Sequence, residues 1–222
     1  MANILLGVTG SVAAIYTREL FEELRGAGHA LKVVATTPAT YFFDPALIAP
    51  LEAGVRNRDL MVLDQDEWAS DRYQRGDAVL HIELRRWAEL LLIAPLDANT
   101  LSKLAQGMCD NCLTCVYRAW DRTKPVVLAP AMNTLMWDHP ATVRHLSQIA
   151  EDLGGRTVPT LIDPAARIAW INAECPTLTI VPPVTKQLAC DDVGLGALAD
   201  RPTILDAVQQ TLAKKLRCVL DS

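Results

Sequence analysis

Leu90-Leu91-Leu92-Ile93-Ala94-Pro95-Leu96-Asp97-Ala98-Asn99-Thr100 and Val126-Val127-Leu128-Ala129-Pro130-Ala131-Met132-Asn133 share one design. An uninterrupted apolar run, Leu90–Ala94 in one and Val126–Ala129 in the other, empties into a proline, small residues and an asparagine. Such runs suit strands buried on both faces, as in a parallel sheet covered by helices. The turns after the carboxyl ends of those strands face the crevice where open α/β sheets take their ligands. Small side chains there let a flat ligand come close to the backbone.

The flanking sequence repeats the same grammar. Asn3–Val8 reads as a strand ending at Gly10-Ser11, followed by a helix to about Ala27 with Val12, Tyr16, Leu20 and Leu24 on one stripe and Gly28 as its stop. Leu31–Ala35 reads as a second strand, ending in Thr36-Thr37 with Pro38 in the next first turn. Leu51–Asp77 is charge-rich, with an edge strand expected around Leu60–Leu63 and a short helix near Glu67–Tyr73. Pro140–Leu153 carries Val143, Leu146, Ile149, Ala150 and Leu153 at helical spacing before Gly154-Gly155, and Leu205, Val208, Leu212 and Leu216 mark a last helix after Pro202. Thr157–Asp200 is proline-rich and reads as a long excursion able to order over a ligand. These elements imply an α/β fold, a flavodoxin-like or Rossmann-like three-layer arrangement with a mainly parallel sheet.

A chain of 222 residues, half of them apolar, suits one domain spanning 1–222, with a flap or insertion at about 157–200. The net charge of −5 comes with no basic run, so the footprint of a nucleic-acid binder is missing. Met1-Ala2-Asn3 leads straight into apolar strand, without a basic leader or a bilayer-length apolar run, so a cytoplasmic protein with no membrane partner is expected. Cys109, Cys112 and Cys115 fall in the spacing C-x-x-C-x-x-C. Met108–Trp120 reads as helical, and three-residue steps drift around a helix axis, so these thiols are taken as buried apolar side chains and no metal is expected.

Gly10-Ser11-Val12, Thr36-Thr37 and Asp97-Ala98-Asn99-Thr100 recur at successive strand ends, where helix N-termini stabilise phosphate. No G-x-G-x-x-G and no Walker lysine follow the first strand, so a mononucleotide such as FMN suits the remaining pattern. Ordinary helix caps are the other reading of each turn.

Gly10-Ser11-Val12-Ala13-Ala14, His81-Ile82-Glu83-Leu84-Arg85-Arg86-Trp87, Ala94–Thr100, Arg118-Ala119-Trp120-Asp121, Pro130-Ala131-Met132-Asn133-Thr134 and Leu188-Ala189-Cys190 resemble the phosphopantothenoylcysteine decarboxylase family. That family is a branch of the homo-oligomeric flavin-containing cysteine decarboxylases, and the likeness runs over nearly the whole chain. It implies FMN bound by Gly10, Ser11, Val12, Thr36, Thr37, Asp97, Ala98, Asn99, Thr100 and Ala131 near a subunit contact, a homotrimer or multiple of trimers, and a role in coenzyme A synthesis. It further implies that FMN takes a hydride from the carbon beside sulfur, that the resulting thioaldehyde loses its carboxylate as carbon dioxide, and that return of the hydride with a proton gives a saturated thiol.

By the same resemblance, His81 takes the thiol proton or helps hold the substrate, and Asn133 holds its carboxylate through an uncharged amide. Cys190 protonates the product, with Gln187, Leu188 and Ala189 as further substrate contacts. The chain departs from the family at Cys190-Asp191-Asp192, where glycine ordinarily follows the cysteine, at Pro38-Ala39, where serines are usual, and at Thr160–Thr179, which has no counterpart in the compact pattern. Two alternatives stay open: a decarboxylase acting on the C-terminal cysteine of a peptide, leaving an enethiol, and a non-catalytic phosphatase-regulating scaffold of the same fold.

Overall fold

The computed structural model describes residues 1–68, 72, 74–160, 163–187 and 193–220. In chain order the elements are β1 (Asn3–Val8), α1 (Thr17–Gly26), β2 (Ala30–Ala35), β3 (Leu51–Glu52), β4 (Val55–Arg56), β5 (Met61–Leu63), α2 (Leu80–Trp87), β6 (Leu90–Leu96) and α3 (Ala98–Gln106). There follow α4 (Cys112–Arg118), β7 (Val126–Pro130), α5 (Thr134–Trp137), α6 (Pro140–Gly154), α7 (Pro164–Glu174), β8 (Leu178–Ile180), β9 (Val184–Gln187), β10 (Val193–Ala197) and α8 (Arg201–Leu220).

Six strands form one parallel sheet in the order β5-β2-β1-β6-β7-β8. Counted along the chain, that is the Rossmann order, and the direction of winding reverses between β1 and β6. Every residue of β6 and β7 is buried, which is why their sequence is continuously apolar rather than alternating. In β1, Ile4, Leu6 and Val8 point to the face covered by Leu20, Phe21 and Leu24 of α1 and Ile204 and Val208 of α8. Leu5 points to the opposite face, covered by Leu84 of α2, Leu101 of α3, Leu113 of α4, Ile149 of α6 and Ile168 of α7. Each such side chain contributes about 1.5–3 kcal/mol by leaving water. Among the described residues, no helix is long and apolar enough to cross a membrane.

Several sequence expectations change here. Val12 and Tyr16 do not extend the core stripe of α1; they sit in a 3-10 turn, Val12–Tyr16, whose tighter winding buries only Ala14. The helix expected near Glu67–Tyr73 falls mostly on Ala69, Ser70, Asp71 and Tyr73, which lie outside the described residues; a 3-10 turn at Asp64–Asp66 precedes it. The helix expected over Met108–Trp120 starts only at Cys112, because Asn111 caps it by accepting from the Thr114 N–H at 2.9 Å. Residues 157–200 are not one excursion. Ile168 and Ile171 seat α7 on the sheet and Leu178 and Ile180 make β8 its edge strand, leaving the β9–β10 hairpin as the part that departs from the layers.

At the reversal, the buried Thr9 hydroxyl donates to the Pro95 carbonyl at 2.8 Å and accepts from the Asp97 N–H at 2.7 Å. Thr9→Val keeps the shape and leaves the Asp97 N–H without its partner. We expect a loss of about 1–3 kcal/mol in urea denaturation, with Thr9→Ser close to the parent.

Candidate active site

A cavity of about 690 Å³ opens at the carboxyl edge of the sheet, over the turns that follow β1, β6 and β7. Its size falls within the range of about 300–1,000 Å³ usual for small-molecule sites. The β1 turn supplies Gly10, Ser11 and the 3-10 segment, in which Val12, Ile15 and Tyr16 keep nearly half their surface exposed. Ser11 caps that segment, its Oγ accepting from the Ala13 N–H at 3.4 Å. Gly10 is required by close approach: a Cβ there would lie 2.6 Å from Pro38 Cβ.

Asp97, Ala98 and Asn99 form the wall after β6. Asp97 caps α3 by accepting from the Thr100 N–H at 2.7 Å, and Ala98 and Asn99 are the first residues of that helix, so its positive end is turned to the cavity. Ala131, Met132, Asn133 and Met136 form the wall after β7. Asn133 caps α5, its Oδ1 accepting from the Leu135 N–H at 2.8 Å, while the residue itself lines the cavity. The capping and site readings of Asn133 therefore describe one position.

The roof comes from the β9–β10 hairpin and the residues after it, through Lys186, Gly196, Ala197 and Leu198. The Gly196 carbonyl accepts from the Met132 N–H at 2.9 Å. Gly196 has φ +145° and a Cβ there would meet the Met132 carbonyl at 2.3 Å; one on Gly194 would meet Thr134 Oγ1 at 2.1 Å. Sequence reasoning missed these contacts, along with Phe42 and Met136. The available signal was the Gly194-Leu195-Gly196 alternation, since glycine inside a strand marks close backbone approach.

Other expected site residues fall elsewhere. Thr100 is buried inside α3, and Thr36 is buried with its hydroxyl unpaired. Thr37 offers its N–H and hydroxyl to Asp64 Oδ2, at 2.7 and 2.8 Å, so a carboxylate of the chain takes the donors expected to meet a phosphate. None of these three lines the cavity. His81, in the first turn of α2, also lies off the cavity wall and faces Glu67 instead: its Nδ1 bonds to Glu67 Oε1, and its backbone N–H donates to Glu67 Oε2 at 3.1 Å. A single chain thus does not bring His81 and Asn133 to one wall. Leu188, Ala189 and Cys190 lie outside the described residues, as does the Gln187 side chain.

Cys112 and Cys115 are buried in or beside α4, whereas Cys109 is exposed in the turn before it. Burial, then the nearby Glu67 carboxylate, pushes the Cys115 thiol up to about 11 and the Cys112 thiol higher still. Both stay protonated at neutral pH. Among the described residues no cluster is arranged to hold a metal ion.

The cavity wall suits a flavin. Val12, Ile15, Tyr16, Phe42 and Met132 give apolar surface for a planar ring, and Ser11, Asn99 and Asn133 supply few but spaced polar groups. The flavoprotein family model matches residues 1–213. The chain belongs to the flavoprotein family. It is 41% identical over 213 residues to a phosphopantothenoylcysteine decarboxylase of Mus musculus, covering 96% of this chain and 88% of that one. A solved PPC decarboxylase, a Cys-to-Ser mutant complexed with pantothenoylaminoethenethiol, superposes with a TM-score of 0.75 at 40% identity, covering 96% of this chain and 98% of that one. The FMN binding protein AtHal3 gives 0.70 at 41%, covering 94% and 95%.

Within this family member, Gly194→Ala tests the seating of the hairpin. The new methyl must displace Thr134 and lift β10, so proteolysis within 184–197 should speed up several-fold while the main unfolding transition barely moves. Adding Thr134→Ala, which removes the clashing hydroxyl, should restore resistance.

Proposed function

We propose that this chain is a cytoplasmic, FMN-dependent phosphopantothenoylcysteine decarboxylase of coenzyme A synthesis. The near full-length likeness to decarboxylases supports the substrate, and the apolar cavity at the sheet's reversal point supports the place of the flavin. When bound, the flavin supplies a two-electron acceptor that labilises the substrate carboxylate and then returns what it took, so the overall reaction is redox-neutral.

The residues divide the remaining work. Asn133, fixed as the cap of α5, presents an amide to the substrate carboxylate, holding the anion without a countercharge that would stabilise it against loss of carbon dioxide. Cys190 returns a proton to the product. His81 handles the thiol proton, and because it lies off the cavity of its own chain, a second copy must carry it to the site. We therefore read the working unit as a homotrimer or a multiple of one. Exposed apolar side chains on the cavity-forming turns, Ile15, Tyr16, Leu135 and Met136, together with Tyr41, are surface that such an assembly covers.

The deciding experiment incubates the FMN-loaded protein without oxygen with 4′-phosphopantothenoylcysteine and, separately, with a cysteine-ended peptide, and weighs the products. We expect the small molecule to lose carbon dioxide alone. Loss of carbon dioxide and two hydrogens from the peptide, with the small molecule untouched, would replace this reading by the peptide one. Asn133→Ala should lower kcat by about 100-fold while the yellow colour is kept.

A further inference from the structure

We propose that Glu67 is a positioning residue for His81, locking the imidazole with its proton on Nδ1 so that Nε2 is the nitrogen presented to the reaction. The inference rests on the reading of His81 as the proton-handling group and deepens it.

Both oxygens of one carboxylate address the same histidine. Glu67 Oε2 accepts from the His81 backbone N–H at 3.1 Å, and Oε1 bonds to Nδ1 of the ring. An ionised carboxylate only accepts, so Nδ1 carries the hydrogen and a neutral ring keeps its lone pair on Nε2. Nε2 has no partner among the described residues, and the His81 side chain keeps 23% of its surface while that of Glu67 keeps 2%. The buried group thus orients and the more exposed one is left to act.

Glu67 is also well fixed. Val79 precedes α2 and offers no side-chain cap, so the Glu67 carboxylate, from fourteen residues before His81, supplies the acceptor that the His81 N–H in the first turn lacks. Negative charge at that end of a helix is favourable. The Glu67 N–H donates to the Asp64 carbonyl at 3.3 Å. The neighbouring Asp66 is held by Arg56 and, at 3.2 Å, by Arg58, and accepts from the Leu63 N–H at 2.8 Å. The Cys112 thiol of α4 lies against Glu67 and stays neutral through burial, so it adds no charge that competes for the imidazole.

The test labels the histidines of the full-length, FMN-loaded protein with ¹⁵N and reads the His81 ring by NMR, assigned by its absence in His81→Gln. We expect the parent in the Nδ1–H form. Glu67→Ala should move it toward the Nε2–H form and lower kcat between about tenfold and the level of His81→Gln, with KM within about twofold. Glu67→Gln, which keeps one acceptor and the packing, should fall between them, and serves if the alanine variant fails to fold. A parent in the Nε2–H form, or a ring whose tautomer ignores both substitutions, overturns the proposal. If the tautomer moves while Glu67→Ala and His81→Gln both leave kcat unchanged, the orientation stands and the catalytic reading of His81 is what falls.

Discussion

The Thr9 hydroxyl, donating to the Pro95 carbonyl and accepting from the Asp97 N–H, holds the ends of β1 and β6 together where the sheet changes its direction of winding. At that point two connections leave in opposite senses, and beside the hydroxyl the Thr9 backbone N–H donates to the same Pro95 carbonyl at 3.2 Å. Further bonds extend the seam: the Ala131 N–H donates to the Leu96 carbonyl at 2.9 Å, and the Met132 N–H to Gly196 at 2.9 Å. Each contributes about 0.5–1.5 kcal/mol net. Together they set the Gly10–Ser11, Asp97–Asn99 and Ala131–Asn133 turns around one cavity. The cavity is thus a continuation of the sheet's hydrogen bonding past its last regular pairs.

What was legible in the sequence follows from how each feature is encoded. β1, β6 and β7 are buried on both faces, so a continuous apolar run was enough to find them; β2 was found although Lys32 interrupts its run and stays half-buried, and α6 announced itself by its stripe and its glycine stop. β8 has only three residues and α7 sits between prolines and polar loops, so a parallel edge strand and its crossover helix read as excursion. The first turn after β1 has apolar residues at helical spacing, yet 3-10 winding turns Val12 and Tyr16 to the cavity. Periodicity reports which residues are apolar, and it cannot report whether the surface they meet belongs to the core or to a ligand.

The site residues show a second limit. Ser11, Asp97 and Asn133 each cap a helical turn and line the cavity. This coincidence has a geometric origin: a helix that follows a parallel strand begins at the strand's carboxyl edge, so its cap stands at the mouth of the crevice. A capping residue and a ligand-binding one are then the same residue types at the same position. Thr37 shows the converse. Its hydroxyl and N–H have the chemistry of a phosphate contact, and only the fold brings Asp64, twenty-seven residues on, to occupy them.

The charge-rich segment before α2 is where long-range pairing matters most. Its residues look like solvated loop because charged side chains of both signs recur along it, yet the Asp66 side chain is 3% exposed and draws both Arg56 and Arg58. A buried carboxylate is costly unless its lone pairs are met, and removing one partner leaves an uncompensated charge. Those pairs therefore confine the 3-10 turn at Asp64–Asp66 to one shape, and that shape delivers Glu67 to the start of α2. A flexible loop of the same composition could also carry a glutamate near a histidine. It could not hold both carboxylate oxygens on one residue: with Oε2 tied to the His81 backbone N–H, Oε1 is aimed at Nδ1, and that one ring contact is what makes the two nitrogens unequal.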